Sequence, residues 1–276
     1  MMNETFSAQR FSKFFKYDLQ QLWNNNGKAA VILGFISVIS YILWITCSLV
    51  FSGSWQGPGV IARLVFFYVG FLALILYQTR TYGYLTEKKA GQAWLMLPAS
   101  TLEKFVSMMI ITVILIPLAY TISYMALDSL IGLLDPTTGG PILAGYSTVM
   151  EKVNEGLSAA SEEGFHFNLA AFAVPFVLQS LSNILYFLLC GLCFKKWKIL
   201  GGFGVLIGIE MLIVPLFSHL VFKFWTPALA NYDFGDDPVL LTETLNKAVS
   251  YGNVFNAVLV VGLAIAIYYR LKTLKH

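Results

Sequence analysis

The sequence predicts an all-α membrane protein: six transmembrane helices preceded by an amphipathic helix lying in the membrane interface. Three observations carry this reading. The 276 residues are 57% hydrophobic and 12% charged, with a mean hydropathy of +0.70, whereas a soluble domain is about one quarter charged. Six apolar windows, 29–51, 58–79, 105–127, 168–194, 199–222 and 248–269, meet the roughly 20 residues that a bilayer-crossing helix needs. Runs such as VILGFISVISYILWITCSLVF lack the period-two alternation of barrel strands.

Before the first window, Phe11, Phe14, Phe15, Leu19, Leu22 and Trp23 form one apolar stripe over residues 6–23. Arg10, Lys13 and Lys16 supply a basic side, so this helix is expected to lie flat with its charges toward anionic headgroups. The alternative is a helix that packs on other protein. The first window is too long for a cleavable signal h-region and reads as an uncleaved anchor.

Orientation follows from the basic residues. If the N-terminus is cytoplasmic, six crossings return the C-terminus to the same side. Residues 1–28, 80–104, 195–198 and 270–276 then hold 14 of the 18 Lys and Arg side chains, which satisfies the positive-inside rule. The expected location is the cytoplasmic (inner) membrane, multi-pass, with both termini cytoplasmic. The net charge of +3 therefore reflects sidedness and points to the lipid bilayer, not to nucleic acid.

Within the windows, Arg63 near the outer end of the second reads as a snorkelling side chain. Pro117 and Pro175 are expected kinks in the third and fourth. Outer segments 135–167 and 223–247 are too short for an independent catalytic domain, so the whole chain is one transmembrane domain. Gln179, Ser182, Asn183 and Tyr186 share one face of the fourth window; they bond another helix, or Gln179 and Asn183 line an interior path. Glu210 stands mid-membrane in the fifth, where a charge costs roughly 2.5–3.5 kcal/mol, so it faces a cavity or partner, or is protonated. Gly204 and Gly208 form a GxxxG, a weak signal of close helix approach. Cys190 and Cys193 form a CxxC with no completing ligands and read as small core residues.

No P-loop, HExxH, GxSxG or kinase set occurs, and His166, His219 and His276 are scattered. The adjacent Glu162 and Glu163 lie in an outer segment. Nothing here supports an enzyme, a metal or a cofactor.

The polar insert QTRTYGYLTEKKAGQAWLMLPASTLEKF, residues 78–105, is the most organised stretch between apolar runs. Pro98 ends one short helix, and Ser100-Thr101-Leu102-Glu103 is a capping box that starts the next. The Glu87-Lys88 pair, Gly91, the Trp94-Leu95-Met96-Leu97 helix and Leu97-Pro98-Ala99-Ser100 resemble the cytoplasmic loop of export-type (type-2) ABC transporter permease subunits. Gln92 stands where that family has Thr, and Met108 replaces a frequent Lys. The resemblance implies a permease subunit that pairs with a second one, as a homo- or heterodimer. A separate ABC ATPase would dock on Glu87, Lys88, Lys89, Gly91, Trp94, Pro98, Ser100, Glu103 and Lys104, with Trp94 the aromatic anchor and Gln179, Asn183 and Glu210 the candidate lining. The alternative is a non-transporting membrane scaffold or assembly factor with the same layout.

Overall fold

In the computed structural model the described residues are 6–145, 147, 151, 153, 155, 169–209, 211 and 238–274. Every regular element among them is helical. The main helices are α1 (Ala8–Gly34), α2 (Ile36–Ser52), α3 (Val60–Thr81), α4 (Lys88–Leu95), α5 (Thr101–Met109), α6 (Ile116–Leu134), α7 (Leu169–Cys193), α8 (Lys198–Ile209) and α9 (Pro238–Thr273). Four helical stretches are long and apolar enough to cross a membrane, or five if the bent α1–α2 pair counts as one. The described residues are thus all-helical, with segments that could cross a membrane. The fifth expected window is described only as far as Ile209 and Met211, so six crossings are not established.

The N-terminal helix departs from expectation. It does not stop at residue 23 but runs for 27 residues into the first apolar window. The break comes at Phe35, where α1 and α2 meet at 44°. Its buried face is Phe14, Asp18, Leu22 and Gly27, while Leu19 and Trp23 are exposed. The helix therefore packs on protein along one side and leaves other members of its apolar stripe facing outward.

The third apolar window is one continuous 34-residue helical stretch, Thr101–Leu134. Beside Pro117, where a kink is expected, Ile110–Leu115 forms a π segment, with Pro117 in the first turn of α6. In π geometry the proline's missing N–H leaves Thr112 O without its backbone partner. The buried Gln78 amide reaches that carbonyl at 3.5 Å, a long contact. Pro175 lies inside an uninterrupted α7.

Two contacts fix the helix spacing. At Gly191 a Cβ would sit 2.6 Å from Thr79 O, so α7 crosses α3 backbone to backbone. At Gly132 it would meet the Gly140 carbonyl at 2.6 Å. By contrast, a Cβ on Gly204 or Gly208 meets nothing within 4 Å, and the GxxxG makes no close approach among the described residues. Cys190 is buried but Cys193 is exposed, so only the first is a core residue.

The largest core lies at the polar-loop end. Phe14, Tyr82, Trp94, Met108, Leu188 and Ile267 belong to it, joining α1, the loop, α5, α7 and α9. Away from that core, α9 exposes Val254, Val258, Val261 and Ile265, an i, i+4, i+7, i+11 face. An apolar face of that length needs lipid or another chain against it.

Candidate functional site

The loop from Tyr82 to Ser100 forms a compact elbow. A 3₁₀ turn, Gly83–Thr86, leads into α4, with Glu87 at its N-cap. Helix α4 ends at Leu95 with Met96 as its C-cap, two residues before Pro98, a frequent stop because proline cannot continue the helix. Ser100 then starts α5 with both halves of the capping box in place. Its hydroxyl accepts from Glu103 N at 3.2 Å, and Glu103 Oε2 accepts from Ser100 N at 2.9 Å.

Glu103 does more than cap. It is fully buried, and its Oε1 accepts from Ser7 N at 2.8 Å and from Arg10 Nη2 at 2.8 Å. One carboxylate thus holds the start of α5 and the start of α1 together. The Arg10 guanidinium keeps 35% of its surface exposed, so this pair sits at the wet edge of the core.

Asp18 is the second tie. No part of it is exposed, and it accepts three hydrogen bonds, from Tyr82 Oη at 2.8 Å, Trp94 Nε1 at 2.9 Å and Ser107 Oγ at 2.6 Å. Those donors come from the end of α3, from α4 and from α5. Burial pushes the Asp18 carboxyl above its usual range, against the pull of the three donors. A buried carboxylate is tolerated where its lone pairs are filled this fully.

Trp94 has no exposed surface. Besides its bond to Asp18, it meets Phe14 and Tyr82 edge-on at 5.5 and 6.2 Å between ring centroids. Lys104 Nζ lies 5.4 Å over the Trp94 ring and donates to Leu95 O at 2.8 Å, placing a cation at the negative end of α4. Trp94 is therefore not available as an outward anchor: it is filled in by its own chain. The outward apolar residues are Met96, 76% exposed, and Leu102. Pro98 is exposed and Gly91 buried, while the side chains of Lys88 and Lys89 are outside the described set.

Lys198, at the start of α8, donates to Gly83 O at 2.7 Å and lies 4.0 Å from Glu87 Oε1. The elbow is thus held from three sides. Helix α4 is tied to α1 through Trp94 and Asp18, and to α5 through Asp18 and Ser107 and through Lys104, while Glu103 ties α5 to the start of α1.

The remaining sequence candidates are not brought to the elbow. Gln179 and Asn183 bond each other at 3.4 Å on the surface of α7. Tyr186 reaches α8, donating to Gly202 O at 2.7 Å. Glu210 lies outside the described residues. Arg63 does not snorkel. It is 2% exposed, donating from Nη1 to Asp128 Oδ2 at 2.9 Å and from Nη2 to Thr138 O and Gly140 O at 3.1 and 2.8 Å.

Comparison of the chain with protein-family models, with curated proteins and with solved structures finds no match in any of the three. Function is therefore argued from the elbow itself.

Asp18 and Asp128 are the residues that sequence reasoning missed. Asp18 carried a signal: it lies midway between Phe14 and Leu22, an acid in the middle of an apolar stripe. Asp128 falls one residue past the charge-free window that was read as the third span.

Proposed function

We propose that this chain is the permease subunit of an ATP-driven exporter of the cytoplasmic membrane. Its spans carry an unidentified substrate across the bilayer, and a separate ATPase docks beneath the elbow. Two such subunits form the pathway, and both termini lie in the cytoplasm beside the ATPase. Gln179, Asn183 and Glu210 are its candidate lining.

The observation that carries this reading is the double anchoring of α4. A loop that only connects two spans has no need to have its Trp94 bonded to the buried Asp18 of α1 and its Leu95 carbonyl bonded to Lys104 of α5. A loop that transmits force does, because a load on α4 must move whole helices and not bend the loop. The likeness of residues 87–104 to export-type permease loops supports the same reading, as does the basic charge of residues 80–104.

Closure of an ATPase dimer would displace α4, and the ties would pass that displacement to α1 and α5 as a rigid-body tilt. Because α5 runs without a break into α6, the tilt reaches the far side of the membrane. The docking face is Met96 with Leu102 and Pro98, not Trp94.

The test is recovery of an ATPase with the chain in mild detergent. Met96→Glu should lower the amount recovered per subunit at unchanged subunit level in the membrane. If no ATPase accompanies the unsubstituted chain, the exporter reading gives way to a membrane scaffold with the same elbow.

A further inference from the structure

Two adjoining cavities open where α1, α3 and α6 meet, and they differ in chemistry. The first, about 450 Å³, is apolar and runs along α6 between Ile116 and Leu127, with Leu33 and Leu74 in its walls. The second, about 860 Å³, lies at its mouth and is lined by Asn24, Asn25, Asn26, Lys28 and Arg80. Trp23 and Val31 line both, so the two adjoin along α1. We propose that together they hold one anionic phospholipid, with an acyl chain along α6 and the phosphate between Lys28 and Arg80. The inference rests on the membrane character of the chain and is independent of the exporter reading.

Depth supports a lipid. Lys28 and Arg80 stand where the first and second apolar windows begin and end, which is headgroup level. The stretch of α6 along the apolar cleft rises roughly 16 Å at 1.5 Å per residue. The cleft begins at Ile116, midway along the third window, and therefore lies deeper than the polar mouth, where only an acyl chain would reach. The 44° bend at Phe35 opens the cleft by turning α2 away from the line of α1.

The polar mouth has the charge that an anionic headgroup requires. Lys28 and Arg80 form no ion pair with a carboxylate among the described residues. The backbones that carry them are tied together, because Tyr77 Oη donates to Asn26 O at 3.2 Å and Asn26 Nδ2 approaches Arg80 O at 3.5 Å. Trp23 is 60% exposed and folds back over Gly27, where a Cβ would meet its ring at 3.3 Å. An amphipathic ring at the junction of an apolar cleft and a basic mouth is the placement that interfacial tryptophans favour. Zwitterionic lipid would bring the same phosphate but also its own ammonium, which offsets the attraction, so the two cations favour a headgroup with net negative charge.

The experiment uses the full chain in mild detergent, titrated with phosphatidylglycerol brominated on its acyl chains, with brominated phosphatidylcholine as the neutral comparison. Bromine quenching of tryptophan fluorescence reads occupancy, and Trp23→Phe should remove its headgroup-selective part, because the exposed Trp44, Trp55 and Trp197 are quenched by either lipid. Phosphatidylglycerol should bind about 25-fold more tightly than phosphatidylcholine, about five-fold for each cation. Lys28→Gln and Arg80→Gln should each weaken it about five-fold and leave phosphatidylcholine unchanged. Ala119→Phe, at an exposed position on the cleft wall, should weaken both lipids. Equal affinity for the two headgroups, or headgroup-selective quenching that survives Trp23→Phe, would overturn the assignment. So would disulfide cross-linking between two copies through a cysteine at position 119 with no lipid quenching, which would give the cleft to a second copy of the chain.

Discussion

Glu103 and Asp128 are both buried carboxylates paired with an arginine, one at each end of the same long helix, and they differ in what else they hold. Glu103 accepts from Ser7 N and Ser100 N as well as from Arg10, and its arginine is partly in water. Asp128 depends on Arg63 and on Ile142 N, and both partners of that ion pair are 3% exposed. The first carboxylate stays satisfied if its arginine goes. The second is left as an uncompensated charge in a dry site. The Glu103 tie is redundant, whereas Asp128 at the opposite end has Arg63 as its one charged partner among the described residues.

The largest effect should therefore come from the dry pair. Arg63→Leu should destabilise by about 3–5 kcal/mol, because breaking a buried pair strands the remaining charge. Arg63→Leu combined with Asp128→Leu should recover much of that loss. Thermal unfolding in detergent measures both, and a single substitution costing under about 1 kcal/mol would place the pair in water and undo the comparison.

Next is Asp18→Leu, which strands Tyr82, Trp94 and Ser107 as buried donors at about 1–3 kcal/mol for each group left without water or partner. Asp18→Asn keeps an acceptor and should cost less. The elbow should also respond to pH. Burial raises the Asp18 pKa above its ordinary 3.8, so the folded state holds this proton more tightly than the unfolded chain. Its contribution is full below about pH 4 and is lost as pH rises through the folded pKa. Protection of the Trp94 indole N–H, taken relative to its intrinsic exchange rate at each pH, should rise on acidification, and Asp18→Asn should flatten that dependence.

Smaller effects belong to the redundant ties. Ser100→Ala should cost about 1 kcal/mol of helix capping. Arg10→Ala should cost under about 1 kcal/mol, the range of partly exposed pairs, because Glu103 keeps its backbone donors. A loss above 2 kcal/mol with Arg10→Ala would show that the loop end also hangs on one pair.

How much of this was legible varies with the range of the contacts. The capping box of Ser100 and Glu103 and the stop at Pro98 are local, and sequence spacing alone places them. The apolar helices were legible by length, although α1 runs through Asn24–Gly27, because Trp23 packs over Gly27 and keeps that turn covered. The Asp18 cluster was not legible, since its donors lie 64 to 89 residues away. Trp94 and Met96 lie two positions apart on a short helix, so spacing could not say which faced inward. Tertiary packing turned Trp94 in and left Met96 out. Arg63 looked like a snorkelling cation until its partner Asp128 came into view.

The central claim is that α4 is a rigid elbow, fixed from within by Trp94 and Asp18, that presents Met96 to an ATPase. It is tested most directly by the ATPase recovered per subunit from mild detergent for three chains: unsubstituted, Met96→Glu and Ser100→Ala. The account predicts at least a ten-fold loss with Met96→Glu, in line with the roughly 2 kcal/mol of an interface hot spot, at equal subunit level and unchanged thermal stability. Ser100→Ala should show only a slight loss. Undiminished recovery with Met96→Glu would contradict it, because the exposed face of the elbow would then not be where the partner docks.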